Sequence, residues 1–421
     1  MIGKTLSVRL PGRHVGELIQ TRDGLTRWIP ERAWEAEGQH PRLGMDFLRN
    51  PGPRQQGTGL LPWFENLLPE PGSELRRRLC AAHGLRDGQS FALLGALGRD
   101  LTGAVEVASN VAPEGETGED HLDRADDAQP ASLQLIQRLS SLAGMQLKFS
   151  MSMVNERLTL PARSAGGQWI VKFPGTEYAE LPAVEQATMT WAQHAGFDVP
   201  RHFVVEVERL IGIPAGWSEE GATHAFAVKR FDREDDGSKL HQEDLCQALD
   251  LPPMNKYGDM APHVSLDGTL RFVTDVCGEA DGREMARRIG FSIACGNGDA
   301  HLKNWSLLWG NKTRPTLAPC YDLVATISWA QRLGWDNPER PEGPALALRV
   351  GGEHRFALLD DRALAAHVES SGQSWASEEL MAGILRAKDA WRYVERDAPP
   401  AMCAALDTHW KRVPVLRKLG R

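Results

Sequence analysis

Several features are missing from these 421 residues, and each absence closes off a class of protein. There is no apolar run of about eighteen residues, so no helix of the chain is expected to span a bilayer. The N-terminal stretch MIGKTLSVRL lacks the apolar core of a secretory signal. The six cysteines, at 80, 246, 277, 295, 320 and 403, form no C-x-x-C pair. That spacing argues against a zinc knuckle and a disulfide framework, and for a reducing cytoplasm. No internal repeat is visible. The phosphate loop G-x-x-x-x-G-K-[ST] and the D-F-G triplet do not occur, and no G-x-G-x-x-G precedes Lys172. Positive charge is also short: the net charge is −8, so the chain is not expected to grip nucleic acid directly, although a basic partner would suit it.

What remains is an ordinary globular composition, 42% hydrophobic and 25% charged, on a chain long enough for two or three domains. Residues 106–130, EVASNVAPEGETGEDHLDRADDAQP, are acidic and lack aromatic side chains, and read as a linker or long surface loop. Upstream, 1–105 reads as a small α+β domain that opens with a hairpin turning at Gly12. Downstream, 131–235 reads as strand-rich, with strands at 150–154, 169–173 and 224–231 and a helix over 181–195. From 236 to 421 the chain reads as helical, and Met285, Ile289 and Ile293 space one buried helix face.

The stretch 296–307, GNGDAHLKNWSL, crowds polar residues between apolar runs. Asp299 and Asn304 stand as D-x-x-x-x-N. In phosphoryl transfer that spacing lets a carboxylate take the proton of an attacking hydroxyl while an amide oxygen holds a magnesium ion. Taken alone, it equally describes a solvent-facing loop between a helix and a strand. Asp322, in CYDLV, follows a strand expected at 315–319 and is placed to be a second magnesium ligand or a turn cap. Lys172 on a strand and Glu185 on the next helix suit a phosphate-contacting lysine and its ion-pair partner, although a strand lysine is often simply solvated. What distinguishes these residues is their order, which is the one a single mechanism demands.

On these residues the chain resembles the HipA family, serine/threonine kinase toxins of bacterial toxin–antitoxin modules. SLAGMQLKFS is similar to the family's phosphate-covering loop, VKFP to its lysine strand and AFAVKRFDR to its adenine hinge. GNGDAHLKNWS is similar to its catalytic loop and YDL to its metal segment, while WFENLLPE and LLGALGRDLTGA resemble its small N-terminal domain. The resemblance implies a bilobal protein-kinase-like core, a strand-rich lobe and then an all-helical one, behind an α+β domain. It implies ATP and Mg2+ as cofactors, with Asp299 as catalytic base and Asn304 and Asp322 as metal ligands. The nucleotide would meet Ala143, Gly144, Met145, Gln146, Leu147, Lys148, Lys172, His301, Lys303 and Tyr321. The backbone of Lys229, Arg230 and Phe231 would lie at the adenine and Asp232 near the ribose. Ser141 would be an autophosphorylation site.

The function so implied is transfer of the γ-phosphate of ATP to a protein serine, on an aminoacyl-tRNA synthetase, which halts translation. The implied partner is a small helix-turn-helix antitoxin, HipB-like, and through it operator DNA. Two other readings stay open: a small-molecule phosphotransferase, and a catalytically silent corepressor. A serine in SLAGMQLK opposes the first, and retention of Lys172, Asp299, Asn304 and Asp322 opposes the second.

Overall fold

In the computed structural model the described residues are 3–36, 42–109, 147–161, 166–213, 222–258, 264–310, 313–329, 335 and 343–419. They fall into two units. The first comprises Met1–Thr176, Val205–Met254 and Leu308–Thr313; the second comprises Glu177–Val204, Asn255–Leu307 and Arg314–Arg421.

The first unit holds two sheets. Alternating apolar residues give β1 (Lys4–Leu10) and β2 (Arg13–Gln20), an antiparallel hairpin whose turn contains Gly12 at φ +73°. With β3 (Leu25–Pro30), β4 (Arg54–Thr58) and β5 (Glu106–Ser109) they form a sheet in the order β4-β3-β2-β1-β5. Val8, Val15 and Leu18 are fully buried in its inner face. Trp28 of β3 packs in a cluster with Phe47, Trp63 and Phe64, the paired ring centroids 5.1–5.9 Å apart and mostly edge to face, the geometry that ring quadrupoles favour. The second sheet comprises β6 (Lys148–Val154), β7 (Arg157–Thr159), β8 (Trp169–Lys172), β9 (His202–Glu206) and β10 (His224–Lys229), in the order β7-β6-β8-β10-β9. The chain passes from one unit to the other within β9.

Polar contacts tie the N-terminal residues of this unit to the segment after β10. Asp232, 3% exposed, accepts from Arg230 Nε at 2.9 Å and from the Gly103 amide at 2.7 Å. Arg233 bonds Asp100, Asp232 and the Gly103 carbonyl, and Arg230 also reaches Asp100 at 3.0 Å. Burial alone would raise the Asp232 carboxyl, but Arg230 and Arg233 outweigh it and hold it at about 2. A second tie is the buried Glu243, which accepts from the Met45 amide at 2.8 Å, Trp63 Nε1 at 3.0 Å and Trp309 Nε1 at 3.1 Å.

The second unit is mainly helical: Leu181–His194, Leu266–Cys277, Glu279–Cys295, Asp361–Ser371, Ala376–Trp391 and Pro400–Arg412. The sequence suggested one buried face on Glu279–Cys295. Instead every residue from Arg288 to Cys295 is buried, the mark of a helix at the centre of its unit. It packs so closely on Ala376–Trp391 that a Cβ on Gly290 would lie 2.0 Å from the Leu380 carbonyl oxygen, and one on Gly383 1.9 Å from that of Arg287. Only glycine permits that approach. Glu379, near the start of its helix, bonds Arg283 at 2.8 Å and Arg287 at 2.7 Å. The unit is not wholly helical, because Ala345–Val350 and Glu353–Arg355 form a hairpin across Gly351 and Gly352. No described helix is long and apolar enough to cross a membrane.

Candidate active site

The polar stretch begins where the central helix stops. Gly296 caps Glu279–Cys295 in the left-handed region at φ +67° and turns the chain out of the helix. Thr326 then holds the turn, its hydroxyl donating to the Gly296 carbonyl at 3.0 Å and accepting from the Gly298 amide at 2.8 Å. Asn297, 1% exposed, accepts from the Asp299 amide at 2.9 Å. The backbone beneath Asp299 is therefore fixed by side chains on both sides. A 3-10 turn, Leu302–Asn304, closes the loop, and Asn304 Nδ2 donates to the Asp299 carbonyl at 2.7 Å. That bond aims the amide oxygen of Asn304 the other way.

Asn304 and Asp322 line one cavity of the second unit, together with Arg288, Asn297, Ser306 and Tyr321. Asp322 sits at φ +53°, a left-handed conformation that aspartate tolerates better than most residues but that still costs about 1–3 kcal/mol, and such sites cluster where function needs them. Tyr321 anchors the same turn, its hydroxyl lying 2.6 Å from Ser306 Oγ and donating to the Lys303 carbonyl at 2.9 Å. Among the described residues no group of three or more His, Cys, Asp and Glu side chains suits a metal. An amide oxygen and a carboxylate are instead two hard oxygen donors, which fits magnesium, an ion that keeps several waters and fills its shell with phosphate oxygens. His301 is 8% exposed. Burial, reinforced by Lys256 and Lys303 against Asp322, pushes its imidazole down to about 3. The ring is therefore neutral at physiological pH, and its Nδ1 has no hydrogen-bond partner among the described residues.

The first unit carries the other expected contacts. Lys148 and Lys172 are register partners on β6 and β8, and Phe226 is the partner of Lys172 on β10. The three side chains make a row across one sheet face. Both lysines are buried, at 7% and 3% exposure, and Lys172 Nζ lies 5.4 Å from the Phe226 ring centroid. Lys229 pairs with Asp235 at 2.6 Å, and the Arg230 amide donates to the Gln168 carbonyl at 2.8 Å. Arg230 does not face solvent, and the Asp232 carboxylate is committed to the buried cluster described above. Phe231 and Leu147 are half-buried. Glu185 is buried on Leu181–His194, in the second unit, whereas Lys172 belongs to the first. Ser141, Ala143, Gly144, Met145 and Gln146 lie outside the described residues.

Two contacts to the loop were missed from the sequence. Tyr257 Oη donates to Asp299 Oδ1 at 2.9 Å, and Thr326 holds the glycines that flank Asn297. The one available signal was scarcity: the chain has four tyrosines, and two of them, Tyr257 and Tyr321, bond this loop.

The strand-rich part, the helical part and the D-x-x-x-x-N loop together make a kinase-like fold. Over its whole length the chain is similar to the solved structure of HipA from Shewanella oneidensis, in a complex with HipB and operator DNA. The TM-score is 0.71 at 23% identity, covering 98% of this chain and 97% of that one. The chain belongs to the HipA family: the HipA N-terminal domain matches residues 6–108 and the HipA-like C-terminal domain residues 140–397. It is 34% identical to the Sinorhizobium fredii protein named "Putative kinase Y4dM", over 99% of this chain and 98% of that protein. It is 28% identical to the serine/threonine-protein kinase toxin HipA of Shewanella oneidensis, over 76% of this chain and 75% of that one.

Proposed function

We propose that the protein is an ATP-dependent kinase that transfers the γ-phosphate to a protein serine. The observation that carries this reading is the cavity that Asn304 and Asp322 both line, with the Asn304 side chain bonded to the Asp299 carbonyl. Asp299 takes the proton of the attacking hydroxyl. Asn304 and Asp322 hold magnesium, which when bound neutralises charge on the phosphates. Lys148 and Lys172 contact the phosphates, supported by their burial as a cross-strand pair. The neutral His301, with Lys303 and Tyr321, lies at the nucleotide, and the backbone of Lys229–Phe231 at the adenine.

Three finer points follow from the family resemblance and from the names of the relatives. The protein substrate is an aminoacyl-tRNA synthetase, so that phosphorylation halts translation. The partner is a HipB-like helix-turn-helix antitoxin, through which the complex reaches operator DNA; an acidic chain of net charge −8 suits such a basic partner. Ser141 is modified by the kinase itself and switches it off.

The test is incubation with γ-labelled ATP and magnesium, with and without a bacterial extract. Label in the chain itself and in one protein band of the extract is expected. Label only in small molecules would favour a small-molecule phosphotransferase, and no transfer at all would favour a silent corepressor.

A further inference from the structure

Asp299 is held from two directions. Its main chain is fixed by Asn297 and Asn304, but a carboxylate turns easily about its last torsion, and backbone contacts do not set that angle. A side-chain contact that bears on that angle comes from Tyr257, whose hydroxyl donates to Oδ1 at 2.9 Å.

The tyrosine is itself braced against the loop it serves. Its ring meets the His301 ring edge-on, with centroids 5.3 Å apart and planes at 80°. The preceding carbonyl, that of Lys256, accepts from the Leu302 amide at 3.1 Å, so the main chain beside Tyr257 is bonded to the loop. On the other side the Gly258 amide donates to the Asn255 carbonyl at 2.9 Å, folding residues 255–258 into a tight turn. Lys256 Nζ lies 5.0 Å from the Tyr257 ring centroid. Despite these braces the tyrosine is 37% exposed. A tyrosine retained only to fill a core would be buried, and one left in solvent by chance would not be aimed at a carboxylate.

We infer that Tyr257 is a positioning residue for the transfer reaction: its hydroxyl holds one oxygen of the Asp299 carboxylate and thereby fixes the orientation in which that carboxylate meets the substrate hydroxyl. The inference rests on the reading of Asp299 as the base. The phenol donates no proton into the reaction. During transfer the serine O–Pγ bond forms, the bond from Pγ to the leaving oxygen of ADP breaks, and the serine proton passes to Asp299. Tyr257 acts only through the geometry of the acceptor carboxylate. Displacing a reacting group by as little as 1 Å costs about a hundredfold in rate, so losing this contact should be felt in turnover and not in nucleotide binding.

The experiment compares four forms of the full chain: wild type, Asp299→Asn, Tyr257→Phe, and a form with 4-aminophenylalanine at position 257. Each is given γ-labelled ATP and magnesium, with a tagged Asp299→Asn copy of the same chain as acceptor. Tyr257→Phe keeps the ring against His301 and loses only the donor. It is expected to lower kcat about ten- to a hundredfold while KM for ATP stays within about twofold. 4-Aminophenylalanine restores an N–H donor at the same place and is expected to recover most of the rate, which a merely structural role for the ring would not explain. An unchanged kcat in Tyr257→Phe, or no recovery with the amino analogue, would overturn the inference. So would a faster Tyr257→Phe, because the hydroxyl would then be an occupant that substrate must displace. Transfer retained by Asp299→Asn would instead overturn the assignment of the base itself.

Discussion

The side-chain amide of Asn304 donates to the main-chain carbonyl of Asp299 at 2.7 Å, so the two ends of the D-x-x-x-x-N stretch form one locked turn. The same bond leaves the amide oxygen of Asn304 for the cavity that Asp322 also lines. On the proposed reading Asn304→Ala removes a metal donor and the lock together, whereas Asp322→Asn removes charge alone. Both should weaken ATP binding in the presence of magnesium by at least about tenfold. Calorimetric titration with magnesium and then with EDTA checks this. Binding that is equally strong in both variants would remove these residues from the metal site.

The buried cluster of Asp100, Arg230, Asp232 and Arg233 should govern stability. Arg230→Ala leaves Asp232 partly uncompensated in the interior and should cost about 3–5 kcal/mol, because breaking a buried pair strands the remaining charge. Lys229→Ala, one position earlier and paired with the exposed Asp235, should stay within about 0.5 kcal/mol. Denaturant unfolding followed by tryptophan fluorescence measures both.

Acid should destabilise the second unit through His409. The ring is fully buried, bonds the Ile293 carbonyl through Nε2 at 2.8 Å, and is pushed down to about 4 by burial. A histidine whose folded value lies below its unfolded one contributes stability that is present above about 6.5 and lost as pH falls through 4. Between pH 7 and pH 5 the loss from this one group is about 2 kcal/mol. His409→Gln, which keeps a donor for Ile293, should flatten that slope by a similar amount in melts recorded across the range.

Several residues of the candidate site could be nominated from the sequence, for particular reasons. Asp299, Asn304, Asp322 and Lys172 stood out because the chemistry imposes a fixed order and spacing, and the hairpin at Gly12 because strand alternation has a period of two. Contacts made across long separations left no such trace. Tyr257 reaches Asp299 from 42 positions away, and Asp100 meets Arg230 from 130 positions away. Asp232 read as a ribose contact because its neighbours looked like a hinge, and the two arginines that engage its carboxylate could not be anticipated. The central helix showed one apolar stripe, since a sequence period cannot reveal that Arg288 and Ser292 are buried as well.

Ser141, expected to be modified by the kinase, gives a test by mass spectrometry after incubation with ATP. One dominant phosphate on Ser141, absent in Asp299→Asn, is expected. A phosphoserine adds about −1.5 to −2 charges, and beside the nucleotide phosphates it would repel them, so the modified protein should bind ATP poorly. On the proposed reading, in which one segment both covers ATP and supplies the serine, transfer between molecules is expected, with a rate that rises with protein concentration. A phosphate mapped elsewhere, or full ATP affinity in the modified protein, would remove the switch.

The most direct measurement pairs ATP affinity with phosphoryl transfer in Asp299→Asn. A base contributes in the transition state, so the variant should bind ATP and magnesium within about twofold of wild type while transfer falls by about 10²–10⁴. Near-normal transfer by a folded, ATP-binding Asp299→Asn protein would contradict the assignment of this loop.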